Sequence, residues 1–371
     1  MEFVLVSQRR KIKLQISKHA SDKGHGRKYH LSIGIAFVIG ILVSSSVLLI
    51  VNHIWSRQSV LINRDELSFK VVGQRGVISL MNLSDSDLES VDIVEMNIAV
   101  ARGIQGLENL DYVQYRQTID TWTNQFKEWL PTVEYAFHQN PSKYKNDINF
   151  FRLGMLAQFL DQQIGIAYVK DHKKAIRVAN KKGVKPQIAY TNPGHLLLHG
   201  LIDSKRGTCG TMPTLHVAIG RRLGWSVGLA CANSHYICRY EDGKNIYNIE
   251  TTDTGHGGFA AGSDLDYIKS AGISDKAITV GSDLRKLTAR EMLGVFVQAR
   301  ARFYADTGKV KLAARDYALA HTLFPNSRQV YIGLVGNLLP VGEKLFNSDE
   351  HGHPSSLLEY LGQRYTRIQK R

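Results

Sequence analysis

The stretch RGTCGTMPTLHVAIGRRLGWSVGLACANSHYICRYEDGKNIYNIETT, residues 206–252, decides the fold of this chain. Apolar residues recur in its first half at helical spacing, at Met212, Leu215, Ile219 and Leu223. Pro is tolerated in a first helical turn, where Pro213 stands, and Gly commonly follows a helix, as Gly224 does. The pattern therefore predicts a helix that begins at Cys209 and ends before Gly224.

The second half of the stretch predicts a small antiparallel sheet. Three strand-like runs are separated by turn residues: SVGLACA (226–232), HYICRYED (235–242) and NIYNIETT (245–252). The turns carry Asn-Ser and Asp-Gly, dipeptides that suit tight connections between strands. This order begins the second strand at His235 and brings Glu250 back alongside it.

Cys209, His235 and Glu250 supply, in this order, the parts of a thiolate–imidazole–carboxylate site. A thiol at the start of a helix lies at the positive pole of that helix, which favours the reactive thiolate. His235 can accept the thiol proton, and Glu250 can orient the imidazole ring. Asp253, three residues further on, is the alternative for the orienting role.

The backbone at the start of the same helix supplies donors for a developing oxyanion. Its N–H groups, including that of Cys209, can hold the negative oxygen of a tetrahedral intermediate. Gly207 and Gly210 flank the cysteine closely and would let a substrate backbone approach.

We expect neither a metal nor a cofactor. His195 and His199 are spaced so that they could share a metal ion, but the glutamate of a zinc-protease motif is absent between them and no third ligand is evident.

These motifs resemble the transglutaminase-like superfamily, whose members have a papain-like α+β fold. The resemblance is carried by MNIAVARGIQG (96–106), LLHGLIDSKRGTCGTMPTLHVAIGRRLGW (197–225), SHYICRYEDGKNIYNIETT (234–252) and the helices after Thr288. It covers most of residues 85–340 and is closest to bacterial members with a helical region before the core and tetratricopeptide-like helices after it.

The resemblance implies Cys209 as nucleophile, His235 as base and Glu250 as the third member of a triad. Two positions depart from the common pattern: Asp often replaces Glu at the third position, and Gly often precedes the histidine where this chain has Ser234. Superfamily members range from proteases and amide hydrolases to proteins without demonstrated chemistry. The substrate is therefore not implied.

Helices are predicted on the amino-terminal side of the core at residues 85–103, 112–137 and 149–168, from apolar or aromatic residues at spacings of three to four. Pro131 is expected to kink or divide the second of these helices. Residues 171–186, DHKKAIRVANKKGVKP, are basic and end in Gly and Pro, so they are predicted to form an exposed loop.

Two helices at Thr288–Asp306 and Lys309–Phe324 have the residue spacing of a tetratricopeptide unit. Small residues stand where paired helices approach closely, aromatic residues stand where they interlock, and a proline ends the second helix. These residues are Ala301, Tyr304, Gly308, Ala313, Tyr317, Ala320 and Pro325. One unit, continued at most by residues 329–339, is too short to be stable alone. The pair is therefore expected to dock on its neighbour.

The amino-terminal fifty residues indicate a membrane anchor. Residues 1–30 hold eight lysines and arginines against two carboxylates, a large part of the net charge of +14. Aromatic residues are not interleaved among these charges as they are on a nucleic-acid surface, so no nucleic-acid partner is expected. Residues 31–51 form an uncharged run long enough to cross a bilayer. The positive-inside rule then predicts a cytoplasmic amino terminus and an extracytoplasmic body.

The three cysteines do not form a disulfide scaffold. Cys231 and Cys238 can pair in an oxidising compartment, but small buried strand residues are the simpler interpretation. The predicted organisation is a basic tail (1–30), a transmembrane helix (31–51), a juxtamembrane connector (52–84), a transglutaminase-like domain with its helical part (85–285), a tetratricopeptide-like region (286–345) and a carboxy-terminal tail (346–371).

Two functions follow from these patterns. The first is a membrane-anchored cysteine-dependent amide or peptide hydrolase, or an acyl transferase, with a Cys209–His235–Glu250 triad and a protein or peptide substrate. The alternative is a catalytically inactive scaffold that binds a protein partner through its tetratricopeptide-like helices.

Overall fold

A computed structural model describes the following residues: 75–184, 186–233, 235–252, 261–334 and 336–337. All of them belong to the unit formed by residues 64–371. The expected membrane span at 31–51, both expected tails and Asp253 lie outside the described residues. No helix within them has both the length and the apolar character required to cross a membrane.

Helices and strands both contribute to the fold, which confirms an α+β protein at this level. The helices are α1 (Val77–Met81), α2 (Asp85–Glu89), α3 (Ile93–Ala101), α4 (Tyr112–Gln139), α5 (Ile148–Phe159), α6 (Lys170–Lys182), α7 (Leu198–Ser204), α8 (Thr211–Arg222), α9 (Asp264–Ala271), α10 (Asp275–Thr279), α11 (Ala289–Asp306) and α12 (Val310–Leu323). The strands are β1 (Ala167–Tyr168), β2 (Arg206–Gly207), β3 (Val227–Cys231), β4 (Tyr236–Glu241), β5 (Ile246–Ile249) and β6 (Ala261–Gly262).

The three predicted strands and the short β6 form a four-stranded antiparallel sheet in the order β3-β4-β5-β6. Cys238 of β4 lies opposite Leu229 of β3 and Ile249 of β5. All five residues of β3 are buried, which explains its nearly continuous apolar sequence. Cys231 and Cys238 are free thiols buried in this sheet, so the interpretation as small core residues is confirmed.

Helix α8 lies at the centre of the fold, between the sheet and the amino-terminal helices. Residues 211–220 are all buried, and the aromatic ring of Phe126 in α4 meets that of Trp225, just beyond α8, at 5.9 Å. A Cβ on Gly220 would lie 2.6 Å from a side-chain methyl of Val227, so the backbone of the helix packs directly against a side chain of β3 there. Burial of each large side chain contributes roughly 1.5–3 kcal/mol. The core therefore fixes the amino-terminal end of α8.

Two predictions for the amino-terminal half are wrong. Residues 170–182 form α6 instead of a loop, because His172 and Ala179 bury one face of the helix and Gly183 ends it at φ +64. The helix expected at 149–168 ends as a π-helical turn at Ile164. Beyond it the chain forms β1, which pairs in parallel with β2.

Helix α4 runs without interruption through Pro131, so the proline does not divide it. Helix α1 forms within the segment expected to be a connector, and Arg75, which lies just before it, forms an ion pair of 2.9 Å with Glu95 of α3. This part of the predicted connector is therefore packed against the helical region.

Helices α11 and α12 form a packed pair that docks on α3. Thr288 and Glu291 cap the start of α11 reciprocally. Arg300 of α11 reaches the carboxylate of the fully buried Asp316 in α12 at 2.6 Å and the carbonyl of Val100 in α3 at 3.0 Å. A buried ion pair of this kind connects all three helices, as expected for a pair too short to stand alone.

Candidate active site

Cys209 stands one residue before the amino-terminal cap of α8, in a turn held by hydrogen bonds. The N–H of Thr208 donates to the Thr211 hydroxyl at 2.9 Å, and the Thr208 hydroxyl donates to the carbonyl of His195 at 2.8 Å. The Thr214 hydroxyl donates to the Gly210 carbonyl at 2.7 Å. These bonds fix the turn on both sides of the cysteine, whose side chain is only partly buried.

The three residues that the sequence singled out meet at this turn. His235 immediately precedes β4, Glu250 immediately follows β5, and the two strands are neighbours in the sheet. The Nε2 atom of His235 lies 2.6 Å from Oε2 of Glu250. The side chain of Cys209 is the other neighbour of the imidazole ring, close enough to raise the pKa of His235. Since Nε2 is taken by the carboxylate, Nδ1 is the nitrogen left for the sulfur.

The turn that presents His235 is itself anchored. Asn233 adopts φ +50, a conformation that Asn tolerates better than most residues. Its backbone N–H donates to Asp283 at 2.5 Å, and its side-chain amide donates to the carbonyl of Ala271 at 2.7 Å. The N–H of Ala232 donates to the carbonyl of His235 at 2.8 Å. The histidine therefore has a fixed backbone as well as a fixed ring.

The electrostatics of the pair favour an imidazolium beside a carboxylate. Burial lowers the pKa of His235, but its hydrogen bonds with Cys209 and Glu250 outweigh burial and raise that pKa to about 10. Burial raises the pKa of Glu250, but hydrogen bonds from His235 and Thr252 hold it below its ordinary value. The Thr252 hydroxyl and N–H both donate to Oε1, at 2.5 and 3.0 Å. Glu250 thus has an acceptor oxygen for each of its two partners.

His216 is a second histidine near Glu250, but it is unsuited to act as the base. It lies inside α8, where its Nδ1 donates to the carbonyl of Met212 at 2.9 Å. Burial lowers the pKa of His216 to about 4. The ring is therefore neutral at physiological pH and is part of the core.

Most of the backbone N–H groups that were expected to hold an oxyanion already donate hydrogen bonds within the turn. The N–H groups of Thr211 and Met212 donate to the carbonyl of Thr208, and the N–H of Gly210 donates to the Thr208 hydroxyl. The N–H of Cys209 is the remaining amide, and it lies beside the phenol of Tyr168. Of the backbone N–H groups predicted from the sequence, that of Cys209 is thus the one that can still donate to an oxyanion.

The expectation for Gly207 is corrected by its packing. A Cβ there would lie 2.5 Å from Met212 and 2.7 Å from Leu201, so Gly207 is required by the core and not by a substrate. A Cβ on Gly210 would meet no atom closer than 3.8 Å, which is the hydroxyl of Thr208. Space for an approaching backbone therefore exists only on the Gly210 side.

Two tyrosines beside the sulfur were not found from the sequence. Tyr168 of β1 lies opposite Gly207 in the parallel strand pair, and its phenol lies close to both the backbone and the side chain of Cys209. Burial raises the pKa of both Tyr168 and Tyr190, and the charge of Cys209 adds to this effect. Both phenols therefore stay protonated over the physiological range and can donate hydrogen bonds.

Helix α11 holds the segment that carries Tyr190. The N–H of Tyr190 donates to the carboxylate of Asp306 at 2.8 Å, and the guanidinium of Arg302 lies 5.8 Å from the centre of the phenol ring. Tyr236, next to His235, donates to Gln298 of the same helix at 2.7 Å. The carboxy-terminal helices therefore help to position the site. No short sequence signal could have shown this, because the contacts join residues about sixty or more positions apart.

A cleft of about 320 Å³ lies away from Cys209, between the turn before α3, helix α4 and the end of α8. Of the three arginines that line it, Arg222 is already paired with Asp92 and Asp120. The cleft holds no nucleophile beside a base, so we do not assign the chemistry to it.

Comparison of the chain with protein-family models, curated proteins and solved structures finds no significant match. The site geometry is therefore the basis of the functional proposal, and the superfamily resemblance of the sequence stays a prediction.

Proposed function

We propose that this chain is a transglutaminase-like cysteine hydrolase or acyl transferase with a papain-like core, in which Cys209 attacks an amide carbonyl. One observation carries the proposal: Nε2 of His235 lies 2.6 Å from the Glu250 carboxylate, and the Cys209 side chain is close enough to raise the pKa of the same imidazole. The three residues come from a helix start and two strands, and an imidazole with both partners is the arrangement that nucleophilic cysteine catalysis requires.

In the first half of the reaction, the sulfur of Cys209 forms a bond to the substrate carbonyl carbon. In the imidazolium form of His235 the thiol proton is already on Nδ1, so the sulfur attacks as a thiolate and the carbonyl oxygen becomes an oxyanion next to the Cys209 N–H. The phenol of Tyr168 is the second hydrogen-bond donor at that position. Collapse of the intermediate breaks the carbon–nitrogen bond, and the imidazolium gives its proton to the departing amine.

In the second half, water or an amine attacks the thioester carbonyl, and His235 takes a proton from the attacking group. The carbon–sulfur bond breaks, and the thiolate is restored beside the imidazolium. Glu250 holds the ring through Nε2 in both halves and stabilises its positive charge. Hydrolysis is the simpler outcome, since no feature of the described site marks a place for an acceptor amine.

The test is site-resolved alkylation with iodoacetamide near neutral pH, followed by mass spectrometry. We expect rapid alkylation of Cys209 and about a tenfold or greater loss of rate in His235→Ala, because the ring is the sulfur's charged neighbour. Cys231 and Cys238 should stay unmodified in the folded protein, because burial raises the pKa of both thiols. His138→Ala changes an exposed histidine of α4 and serves as the matched control.

The proposal would be contradicted if Cys209 were alkylated as fast in His235→Ala as in the protein without this substitution. Failure of Cys209 to react at all would favour the inactive scaffold that binds a partner through its tetratricopeptide-like helices.

A further inference from the structure

Helix α6 carries a stripe of positive charge. Five exposed cations follow the spacing i, i+3, i+4, i+7 and i+11, which places them on one side of a helix; they are Lys170, Lys173, Lys174, Arg177 and Lys181. The buried residues of the helix, His172 and Ala179, lie on the opposite side. The stripe therefore faces solvent along the whole helix.

The stripe works against the stability of its own helix. Lys170 and Lys174, Lys173 and Arg177, and Arg177 and Lys181 are like-charged neighbours at i, i+4, and such pairs destabilise a helix. Lys170 also stands at the positive amino-terminal pole. Within the described residues, no ion pair joins these five side chains to a carboxylate. An external anion would relieve this repulsion.

The stripe begins close in the sequence to a neighbour of the candidate nucleophile. Lys170 follows Tyr168, whose phenol contacts Cys209, by two residues. On the buried side of α6, the ring of His172 lies 5.1 Å from that of Tyr190 and 5.0 Å from that of His195. The helix is thus part of the wall of the site, and the cations lead away from it.

We infer that the stripe on α6 binds an acidic stretch of a polypeptide substrate whose amide is presented to Cys209. This inference rests on the proposed function and adds the substrate class to it. Eleven residues of helix span about 17 Å, which an extended peptide covers with about five residues. The substrate therefore carries about five residues rich in Asp and Glu next to the reacting amide.

The experiment uses the full-length protein in a neutral detergent and two peptides that differ in charge. One peptide has five glutamates and the other has five glutamines. Each peptide is prepared in two forms, with a chloroacetyl group at its amino-terminal or its carboxy-terminal end. The Cys209 sulfur displaces chloride and forms a thioether, which mass spectrometry locates. The readout is the ratio of the acidic to the neutral alkylation rate, and about a tenfold ratio at low salt is expected from three or more surface charge pairs.

Charge reversal tests which surface is responsible. The ratio should fall to about one in the triple variant Lys173→Glu, Lys174→Glu and Arg177→Glu. The variant with Gln at the same three positions should show an intermediate ratio. It serves as a check in case the charge-reversed helix misfolds. A control with the same change in net charge should keep the ratio; it reverses three exposed lysines on other helices, Lys127, Lys276 and Lys311.

Iodoacetamide distinguishes the two possible failures. If it alkylates Cys209 in a manner that depends on His235, yet the two peptides react equally, the inference on substrate class is wrong and the proposed function stands. If the ratio falls equally in the control variant, the net charge of the protein and not α6 is responsible, and the inference is overturned. Binding of phosphatidylglycerol vesicles through α6, with no preference between the peptides, would overturn it in favour of a membrane-facing helix.

Discussion

Replacement of Glu250 by Gln isolates the charge that holds the imidazolium. Gln keeps the shape and an acceptor oxygen but removes the carboxylate that lies 2.6 Å from Nε2 of His235. The side chains of His235 and Glu250 are 30% and 22% exposed, so water screens the pair only in part. A hydrogen bond to a charged group contributes roughly 1.5–3 kcal/mol, and about 1.4 kcal/mol corresponds to one pH unit. The pKa of His235, now raised to about 10, should therefore fall by about one to two pH units.

The assay is an NMR titration of the imidazole Hε1 resonance, assigned by its absence in His235→Gln. Glu134→Gln is the matched control, because Glu134 has a comparable exposure of 25% and forms an ion pair of 2.7 Å with Arg152. The control should leave the His235 resonance unchanged. A pKa of His235 that moves by less than about 0.3 pH unit in Glu250→Gln would refute the assignment of Glu250 as the group that stabilises the imidazolium.

The same pair should make stability depend on pH. The folded pKa of His235 lies above its ordinary value of 6.5, so its contribution is complete below pH 6.5 and is lost as the pH rises through about 10. The folded pKa of Glu250 lies below 4.5, so its contribution is complete above pH 4.5 and is lost in more acidic solution. The drop in Tm caused by Glu250→Gln should therefore be greatest between pH 4.5 and 6.5.

Two further outcomes follow from the contacts around the site and the helix pair. Tyr168→Phe removes a hydrogen-bond donor to the Cys209 sulfur, so the limiting rate of Cys209 alkylation by iodoacetamide at high pH should rise about threefold. A lower rate would show instead that the phenol activates the sulfur. Arg300→Met leaves the buried carboxylate of Asp316 without its main partner and should cost about 3 kcal/mol in urea unfolding, whereas Arg300→Met with Asp316→Leu should recover most of this loss. An additive loss in the double variant would contradict the role of the ion pair.

The central helix and sheet could be predicted because their signals are local. The helical period from Met212 to Leu223, followed by Gly224, gives α8 almost to the residue. Apolar runs broken by turn dipeptides give β3, β4 and β5. Local patterns misled for α6, where basic residues suggested a loop. Its helix depends on the burial of His172 and Ala179, and a sequence cannot show which neighbour will cover them.

The site was predictable as a set of residue types but not as a geometry. Spacing along the chain left Glu250 and Asp253 as alternatives for the orienting carboxylate. The described structure places Glu250 within hydrogen-bond distance of His235, because β4 and β5 are paired in a fixed register. Tyr168 and Tyr190 had no sequence signal, since they reach Cys209 through a parallel strand pair and a loop held by α11.

The sequence by itself therefore determined the elements whose signals lie within one turn or one hairpin, and the order in which a thiol, an imidazole and a carboxylate follow one another. The tertiary structure alone decided which carboxylate reaches the ring, which backbone amide remains free for an oxyanion, and which wall of the site is positively charged. The physical reason is that hydrogen bonds and burial depend on distances between elements, and these are set by the packing of α8 between the sheet and the surrounding helices.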